Sequence, residues 1–273
     1  MIQEVMMQEK YEEILNIIRQ YDRVGVCLSG GADSSLVAIA AVDALGANNV
    51  IAITADTEFF TGEEMELSSE LCKRLGIRHL TPKTGLLMDQ KVLANTEERC
   101  YYCKKNVLSV VKNAAEQANL KVLLDGSLMK EEGVQYEKLC NSPGGKALAE
   151  LGIVCPLRLC GVTRSQVRDL LKFRGMNDFI QPENACLATR IAIGEPITIK
   201  KLRWIRAAEN YLRSLGYEMV RVRVQEKNAR IEVAREQVPM LLENKEEVLE
   251  ELKAIGFHDV EIDEQGYRRV QAL

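Results

Sequence analysis

A glycine- and serine-rich turn between two apolar segments constrains this sequence more than any other feature. Residues 24–28 (VGVCL) have the composition of a short buried strand, and residues 35–45 (SLVAIAAVDAL) that of a helix. The turn that joins them is SGGADS, residues 29–34. Such a strand–turn–helix directs backbone N–H groups and the positive end of the helix dipole at one point, which suits phosphate. The turn lacks the Gly-Lys-Ser/Thr of a Walker A loop and the GxGxxG of a dinucleotide fingerprint.

The SGGxDS pattern of residues 29–34 resembles the PP-loop of ATP pyrophosphatases. The resemblance implies that this loop holds the β and γ phosphates of ATP, that ATP is cleaved to AMP and pyrophosphate, and that a substrate is adenylated. The alternative is a Gly/Ser turn that merely connects two buried elements. The spacing and the strand–turn–helix context favour the phosphate loop.

The size and the charge of the chain limit the classes of protein to which it can belong. The chain has 273 residues, 47% of them hydrophobic, which suits one large or two modest domains. A net charge of −4 argues against an extensive nucleic-acid surface. The acidic, polar start of the chain is unlike a signal peptide, and no apolar run reaches the about 20 residues that span a bilayer. We therefore expect a cytoplasmic protein whose eight cysteines are thiols or metal ligands.

Apolar strand-type and helix-type segments alternate over the first part of the chain. The predicted strands are residues 24–28, 50–54, 77–80 and 121–124, and the predicted helices are residues 3–20, 35–45, 63–75, 88–93, 104–119 and 163–173. This alternation predicts an α/β fold with a doubly wound, mostly parallel sheet. Ligands of such sheets bind at the carboxyl ends of the strands, where Asp56, Thr57 and Gly126 follow the second and fourth strands.

The pattern changes near residue 195. Residues 198–215 predict a helix, residues 219–224 and 230–233 paired strands, residues 237–255 a helix, and residues 260–262 a closing strand. We therefore expect a PP-loop domain over residues 1–194 and a small α+β domain over residues 195–273. Within the first of these domains, residues 130–160 are less regular, and Pro143-Gly144-Gly145 is interpreted as a loop.

Three cysteines stand apart from the rest. Cys100 and Cys103 form a CxxC motif just before the helix predicted at residue 104, and Cys186 lies in ENACLATR, residues 183–190. A lone CxxC is compatible with zinc, with thiol redox chemistry or with two ordinary thiols. A second CxxC, which a four-cysteine zinc site would need, is lacking. Three thiolates could instead hold three corners of a [4Fe–4S] cluster. The other cysteines are interpreted as ordinary thiols.

Motifs spread over nearly the whole chain are similar to those of the LarE family, ATP-dependent sulfurtransferases that mature the nickel-pincer cofactor of lactate racemase. The motifs that carry this likeness are residues 26–34, 100–105, 124–126, 185–190 and 211–223. The resemblance implies adenylation of a carboxylate of pyridinium-3,5-biscarboxylic acid mononucleotide and its conversion to a thiocarboxylate. It also implies a homo-oligomer, a hexamer built around the small C-terminal domain.

The family obtains its sulfur in two ways. In one branch a single cysteine, matched here by Cys186, attacks the adenylate and is left as dehydroalanine. In the other, three cysteines bind a [4Fe–4S] cluster that carries an extra sulfide. Because Cys100, Cys103 and Cys186 occur together, the chain resembles the cluster branch. The residues identify no sulfur donor that would recharge such a cluster.

The resemblance also implies roles for individual residues. Ser29, Gly30, Gly31, Asp33 and Ser34 would hold pyrophosphate, with Asp33 near Mg²⁺. Asp56, Thr57, Lys104 and Gly126 would line the ATP pocket, although Lys104 also suits a solvated helix start. Arg221 and Arg223 would clamp the substrate phosphate, with a solvated sheet face as the alternative, and Arg190 and Glu209 would lie near the active site. The family's usual Arg-Pro-Gly stretch is replaced here by residues 133–142.

Three other functions compete with this one. A PP-loop tRNA thiolase also combines ATP with three cysteines, but the acidic charge and the lack of a basic extension count against it. An NAD synthetase or another amidotransferase-type ligase shares SGGxDS but leaves the three cysteines without a role. A non-catalytic nucleotide-binding partner would bind ATP and release no pyrophosphate.

Overall fold

The computed structural model describes residues 2–128, 143–181 and 185–268. The strands are β1 (Val24–Cys27), β2 (Val50–Ile53), β3 (Arg78–Leu80), β4 (Leu123–Asp125), β5 (Val220–Gln225), β6 (Asn228–Val233) and β7 (Asp259–Ile262). The α-helices are α1 (Ile2–Ile18), α2 (Ala32–Leu45), α3 (Glu63–Leu75), α4 (Gln90–Leu93), α5 (Arg99–Gln117), α6 (Pro143–Leu151), α7 (Pro156–Leu159), α8 (Arg164–Phe173), α9 (Ile199–Ser214), α10 (Val238–Glu243) and α11 (Lys245–Ile255). In the described part of the chain, no helix combines the length and the apolar character needed to cross a membrane.

The first four strands form one parallel sheet, in the order β3-β2-β1-β4. Strand β1 is central: Val24 pairs with Val50 on one side, and Gly25 pairs with Leu123 on the other. All four residues of β1 are buried, as expected for a strand covered on both faces. The predicted α/β fold with a mostly parallel sheet is confirmed. The residues after β1 therefore emerge at the carboxyl edge in the middle of the sheet.

Helix α2 holds the loop that precedes it against the core. Leu36, Val37 and Ile39 are almost completely buried and belong to one apolar cluster with the buried face of α8, including Leu170 and Leu171. Burying a Leu or Ile side chain stabilises a fold by about 1.5–3 kcal/mol. The first turn of α2 is thus part of a rigid element.

Contacts divide the chain into two compact units. The first comprises residues 1–86 and 100–184, and the second comprises residues 87–99 and 185–273. Residues 87–99 join the second unit because the side-chain amide of Asn95 donates to the carbonyls of Ala192 and Glu195 at 2.8 and 2.9 Å. No local sequence pattern connects these two segments, and the domain boundary expected at residue 195 stays a prediction.

The second unit contains a three-stranded sheet in the order β5-β6-β7, in which β5 and β6 are antiparallel and β6 and β7 parallel. The small C-terminal sheet was expected. The single helix predicted over residues 237–255 is instead two helices, α10 and α11, which meet at Asn244.

Two local predictions in the first unit need correction. Helix α5 begins at Arg99, so Cys100 and Cys103 lie inside the helix, near its start, rather than before it. Pro143-Gly144-Gly145 is part of α6 rather than a loop, because proline at the start of a helix lacks only an N–H that would have no helical partner there. The replaced stretch 133–142, with Cys140, lies outside the described residues.

Candidate functional site

The loop after β1 is closed by its own serines. The hydroxyl of Ser34 accepts the N–H of Ser29 at 3.1 Å and donates to the carbonyl of Gly31 at 3.0 Å. It also lies 3.1 Å from the hydroxyl of Ser29. Gly31 is the N-cap of α2, and glycine has no side chain that could accept a hydrogen bond from the first-turn N–H groups. This arrangement suits an anionic ligand.

Two glycines allow neighbouring elements to approach this loop closely. Gly30 has φ of +77°, and a Cβ built there would lie 2.8 Å from Cα of Glu64 in α3. A Cβ on Gly126, just after β4, would lie 2.6 Å from the backbone nitrogen of Ser34. Any other residue would push the backbone apart at either position. The two glycines therefore fix the shape of the loop.

A cavity of about 210 Å³ opens beside this loop, within the first unit. Its wall brings together five of the predicted site residues: Ser29, Asp33, Ser34, Lys104 and Gly126. Apolar side chains from β2 and α5, including Ile53, Val107 and Leu108, form much of the rest. A mostly apolar cavity with a few polar groups is typical of a small-molecule site.

Lys104 is paired with a carboxylate that the sequence analysis did not single out. Its ammonium lies 3.2 Å from Asp125, which is 6% exposed and also accepts the N–H of Ser127 at 2.9 Å. Burial acts to raise the pKa of Asp125, but the charge of Lys104 and the hydrogen bonds from Ser127 outweigh it, and the pKa is lowered. Asp125 ends β4, so the strand-end rule that selected Gly126 could have found it.

Asp33 lines the same cavity from the first turn of α2. Burial raises the pKa of its carboxyl, while the guanidinium of Arg164, 3.9 Å away, opposes that rise. Carboxylate oxygen is the ligand type that Mg²⁺ prefers, so the donor chemistry at Asp33 fits that ion.

Asp56 and Thr57 lie beside the cavity residues in sequence but are not part of its wall. Asp56 donates its N–H to the carbonyl of Pro82 at 2.8 Å, and the hydroxyl of buried Thr57 accepts the N–H of Phe59 at 3.2 Å. In this segment Ala55 and Phe60 contact the cavity instead.

Cys100 and Cys103 are neighbours on the surface of α5, because residues three apart share a helix face. Cys100 is exposed and Cys103 partly buried, in contrast to the buried Cys27 and Cys72. Thiolates are the ligands that iron–sulfur clusters take, so the donor type fits. Among residues 2–128, 143–181 and 185–268, no group of three or more His, Cys, Asp or Glu side chains is arranged to hold a metal ion.

Cys186 is held through its backbone in the second unit. It is the N-cap of a 3₁₀ turn over Leu187–Arg190, and its thiol-bearing side chain is partly buried. Its carbonyl accepts the Thr189 hydroxyl at 2.7 Å and Nη1 of Arg190 at 3.0 Å. Arg190 in turn pairs with Glu209 at 2.8 Å, and both side chains are completely buried. Arg190 and Glu209, both predicted site residues, therefore help to fix the backbone at Cys186.

Arg221 and Arg223 alternate with buried valines on β5 and share one face of the strand. Arg223 pairs with Glu232 at 3.1 Å and donates to the carbonyl of Thr189 at 2.9 Å. Arg221 is 5% exposed and lies 5.5 Å from the ring of Tyr267. Burial, with the nearby charge of Arg190, lowers the pKa of Arg221. Because Arg221 is buried, the alternative that it lies on a solvated sheet face does not hold for this residue.

Known proteins resemble this chain in sequence over different parts of its length. The family model described as NAD synthase matches residues 7–119. The chain is 32% identical to the pyridinium-3,5-bisthiocarboxylic acid mononucleotide synthase of Lactiplantibacillus plantarum over 95% of this chain and 92% of that protein. It is 32% identical to an uncharacterised protein of Synechocystis over 96% of both chains.

A shorter likeness connects the chain to another kind of enzyme. A glutamine-dependent NAD(+) synthetase of Xanthomonas campestris is 41% identical over 58 residues, which is 21% of this chain and 10% of that protein. The likeness to the mononucleotide synthase, in contrast, runs through both units. The chain belongs to the family of that synthase, the LarE family of PP-loop proteins.

Proposed function

We propose that this chain is an ATP-dependent sulfurtransferase acting on pyridinium-3,5-biscarboxylic acid mononucleotide, with AMP and pyrophosphate as by-products. The observation that carries the proposal is the cavity beside residues 29–34, in a chain similar over 95% of its length to a pyridinium-3,5-bisthiocarboxylic acid mononucleotide synthase. A PP-loop cavity suits ATP, and a thiocarboxylate product requires both carboxylate activation and a sulfur source.

The activation step uses the cavity of the first unit. A carboxylate oxygen of the substrate attacks the α-phosphorus of ATP, the bond to the β-phosphate breaks, and pyrophosphate leaves. Ser29, Ser34 and the first N–H groups of α2 would bind the pyrophosphate as its charge develops. Mg²⁺ bound by Asp33 would neutralise part of that charge.

The sulfur step uses the cysteines. A cluster held by Cys100, Cys103 and Cys186 would supply sulfide to the acyl carbon. In the alternative route, the thiolate of Cys186 attacks the acyl-adenylate and AMP leaves. Loss of the Cα proton then breaks the Cβ–S bond, releasing the thiocarboxylate and leaving dehydroalanine. Both routes need a Cys186 backbone that is held firmly. The hydrogen bonds from Thr189 and Arg190 to the Cys186 carbonyl would hold it.

The substrate's phosphate would bind to the second unit. Arg221 and Arg223 offer guanidinium forks on one strand face, and such forks suit phosphate oxygens. Arg190 and Glu209, which are completely buried against each other, would act as positioning residues for Cys186 rather than as direct contacts. Assembly as a homo-oligomer belongs to the same proposal, and light scattering tests it.

The decisive experiment supplies protein purified without oxygen with ATP and the biscarboxylic acid mononucleotide. Pyrophosphate, AMP and the thiocarboxylate product are measured, together with iron and acid-labile sulfide per chain. About four iron and four sulfide per chain would support the cluster route. A product yield that stops near one per chain, with dehydroalanine at position 186, would support the sacrificial route. ATP cleavage without any thiocarboxylate would contradict the proposal.

An NAD synthase activity is the second candidate, because the NAD synthase model matches residues 7–119. That match covers the PP-loop half and leaves Cys186, Arg221 and Arg223 without a role. Ammonia-dependent AMP formation with a nicotinate dinucleotide would favour this activity over sulfur transfer.

A further inference from the structure

A further cavity, of about 610 Å³, lies in the first unit. Its wall comes from the last part of α5, the start of β4 and the residues that follow α6. Strand β4 contributes its first residue, Leu123, to this cavity and its last, Asp125, to the cavity beside residues 29–34. Of the described residues, none lines both. The Leu123 cavity therefore lies at the amino edge of the parallel sheet, away from the phosphate loop.

The floor of the Leu123 cavity is apolar and fixed by the fold. Ala115, Leu120, Leu123 and Ile153 line it as members of one buried cluster. The N–H of Leu120 donates to the carbonyl of Ala115 at 2.9 Å, and the N–H of Ile153 donates to the carbonyl of Leu148 at 3.1 Å. A preformed cavity of about 300–1,000 Å³ with an apolar floor is typical of small-molecule sites. A ligand that fits this floor needs an apolar body.

The charged groups in the wall of the Leu123 cavity are mainly positive. Half-buried Lys112 and exposed Lys121 line it together with one carboxylate, that of Glu116, so the wall carries a net charge of +1. Lys112 donates to the carbonyl of Leu151 at 3.1 Å, and an ammonium has two more N–H groups to offer. In the part of the chain that the structure describes, neither lysine is paired with a carboxylate.

The backbone acceptors at the nearby helix ends are already used. At the end of α5, the carbonyl of Glu116 accepts the N–H of Asn119 at 3.0 Å. At the end of α6, the carbonyl of Ala149 accepts the N–H of Gly152 at 3.2 Å. Unpaired carbonyls at a helix end would favour a cationic ligand. Because these carbonyls are paired, the lysine ammonium groups decide the charge of the ligand, and they favour an anion.

We propose that the Leu123 cavity is a second ligand site, which takes a small monocarboxylate with an apolar body. Lys112 and Lys121 hold the carboxylate, and the buried apolar side chains contact the rest of the ligand. A single negative charge suits this wall better than a phosphate, because Glu116 lies in it as well. The two cavities have no lining residue in common, so this proposal does not depend on the proposed function.

The test is a titration of the full chain with phenylpropanoate, followed by saturation-transfer difference NMR. Phenylpropanol has the same apolar body without the charge, and acetate has the charge without that body. Ala115→Leu fills the floor of the cavity. Its matched control is Ala114→Leu, because Ala114 packs against the same apolar cluster without lining the cavity.

A second pair of variants tests the charge. Lys112→Gln removes the ammonium but keeps a donor for the carbonyl of Leu151. Lys172→Gln is the matched control, since it removes a positive charge from the same unit at a side chain that is 62% exposed and lies outside the cavity wall. Circular dichroism and melting temperatures check that each variant folds.

We expect the parent to bind phenylpropanoate with a dissociation constant of about 1 mM or below, and to bind phenylpropanol and acetate about fivefold or more weakly. Ala115→Leu and Lys112→Gln should each weaken phenylpropanoate binding about fivefold or more, the range for a lost contact to a charged group or a filled cavity. Ala114→Leu and Lys172→Gln should bind it like the parent. Lys112→Gln should keep the parental affinity for phenylpropanol, which separates a lost charge from a damaged fold.

Three results would overturn the proposal. Parental affinity for phenylpropanoate in either Ala115→Leu or Lys112→Gln would place the probe elsewhere on the protein. Equal affinity of the parent for phenylpropanoate and phenylpropanol would show that the lysines do not select a carboxylate. Failure of the parent to bind phenylpropanoate at about 10 mM would show that the cavity takes no ligand of this class.

Discussion

The carboxylate of Glu209 meets the guanidinium of Arg190 in a completely buried ion pair, with Oε1 2.8 Å from Nε. The same carboxylate accepts the N–H of Val222 at 3.1 Å and Nη2 of Arg213 at 3.2 Å. Arg190 continues the network to the carbonyl of Cys186 at 3.0 Å. One carboxylate thus joins helix α9, strand β5 and the segment that carries the candidate sulfur donor.

Removing one partner of the Arg190–Glu209 ion pair should lower the stability of the fold substantially. Glu209→Gln removes the carboxylate that pairs with the buried Arg190 guanidinium, and we expect the free energy of unfolding to fall by about 3–5 kcal/mol. Urea unfolding measures this loss. Arg19→Gln, at the exposed pair with Glu12, is the control and should change stability by less than about 1 kcal/mol. A loss at Glu209 no larger than that of the control would contradict the assigned role.

Gly126→Ala should disrupt the phosphate loop, because the added Cβ would lie 2.6 Å from the nitrogen of Ser34. Affinity for ATP should fall by tenfold or more even where the variant folds. Gly85→Ala is the matched control, since a Cβ there has nothing within 4 Å. Equilibrium dialysis with labelled ATP compares the two. Parental affinity in Gly126→Ala would show that this close approach does not shape the site.

Asp33→Ala should abolish pyrophosphate release while leaving iron content near that of the parent. Asp33 lines the cavity, whereas the CxxC motif lies on another element, near the start of α5. A coupled pyrophosphate assay and an iron determination report the two effects separately. Asp178→Ala, at a side chain that is 79% exposed, removes the same charge from the first unit and should retain activity. Pyrophosphate release at the parental rate in Asp33→Ala would exclude it as a Mg²⁺ ligand.

Cys186→Ala should keep pyrophosphate release and lose sulfur transfer. ATP-dependent pyrophosphate release persists, because adenylation does not use the thiol, but no thiocarboxylate forms. Mass spectrometry of the product and of the protein follows both routes of sulfur transfer. Cys160→Ala, which removes another partly buried thiol, should transfer sulfur normally. Parental transfer by Cys186→Ala would overturn the three-cysteine model and the sacrificial route together.

Acid should weaken the Lys104–Asp125 pair in a defined range. Burial opposes ionisation of Asp125, but Lys104 and Ser127 lower its pKa below the ordinary 3.8. A lowered carboxyl pKa stabilises the fold fully above the ordinary pKa, and this stability is lost as the pH falls through the lowered value. The stability difference between the parent and Asp125→Asn should therefore shrink in urea titrations as the pH falls below the ordinary pKa of 3.8. A difference that does not change with pH would mean that Asp125 does not titrate with a lowered pKa.

Local sequence patterns were sufficient to predict many of the helices and strands of the first unit. Gly76 directly follows the helix predicted over residues 63–75, and its N–H donates to the carbonyls of Cys72 and Lys73 with φ of +65°. Thr163, the first residue of the helix predicted over residues 163–173, is the N-cap of α8. The order of apolar strands and helices gave the parallel sheet, since each of these signals depends only on residues within a few positions along the chain.

Contacts between segments that are far apart in the sequence were not predicted. Helix α5 starts at Arg99, whose guanidinium donates to the carbonyl of Ala188 at 3.1 Å, a contact between distant segments of the second unit. Asn95 joins residues 87–99 to that unit in the same way. Neither partner is adjacent in sequence, so no local pattern could have found them.

The sequence by itself determined the α/β fold, the phosphate loop at residues 29–34 and the family. Only the tertiary structure decided which charges meet: Lys104 with Asp125, Arg164 with Asp33, and Arg190 with Glu209. Backbone propensity and hydrophobic periodicity act over one or two turns and select which face of an element is buried. The partner of a buried charge depends instead on how separate elements pack, because its desolvation must be offset by whatever group the fold brings within reach.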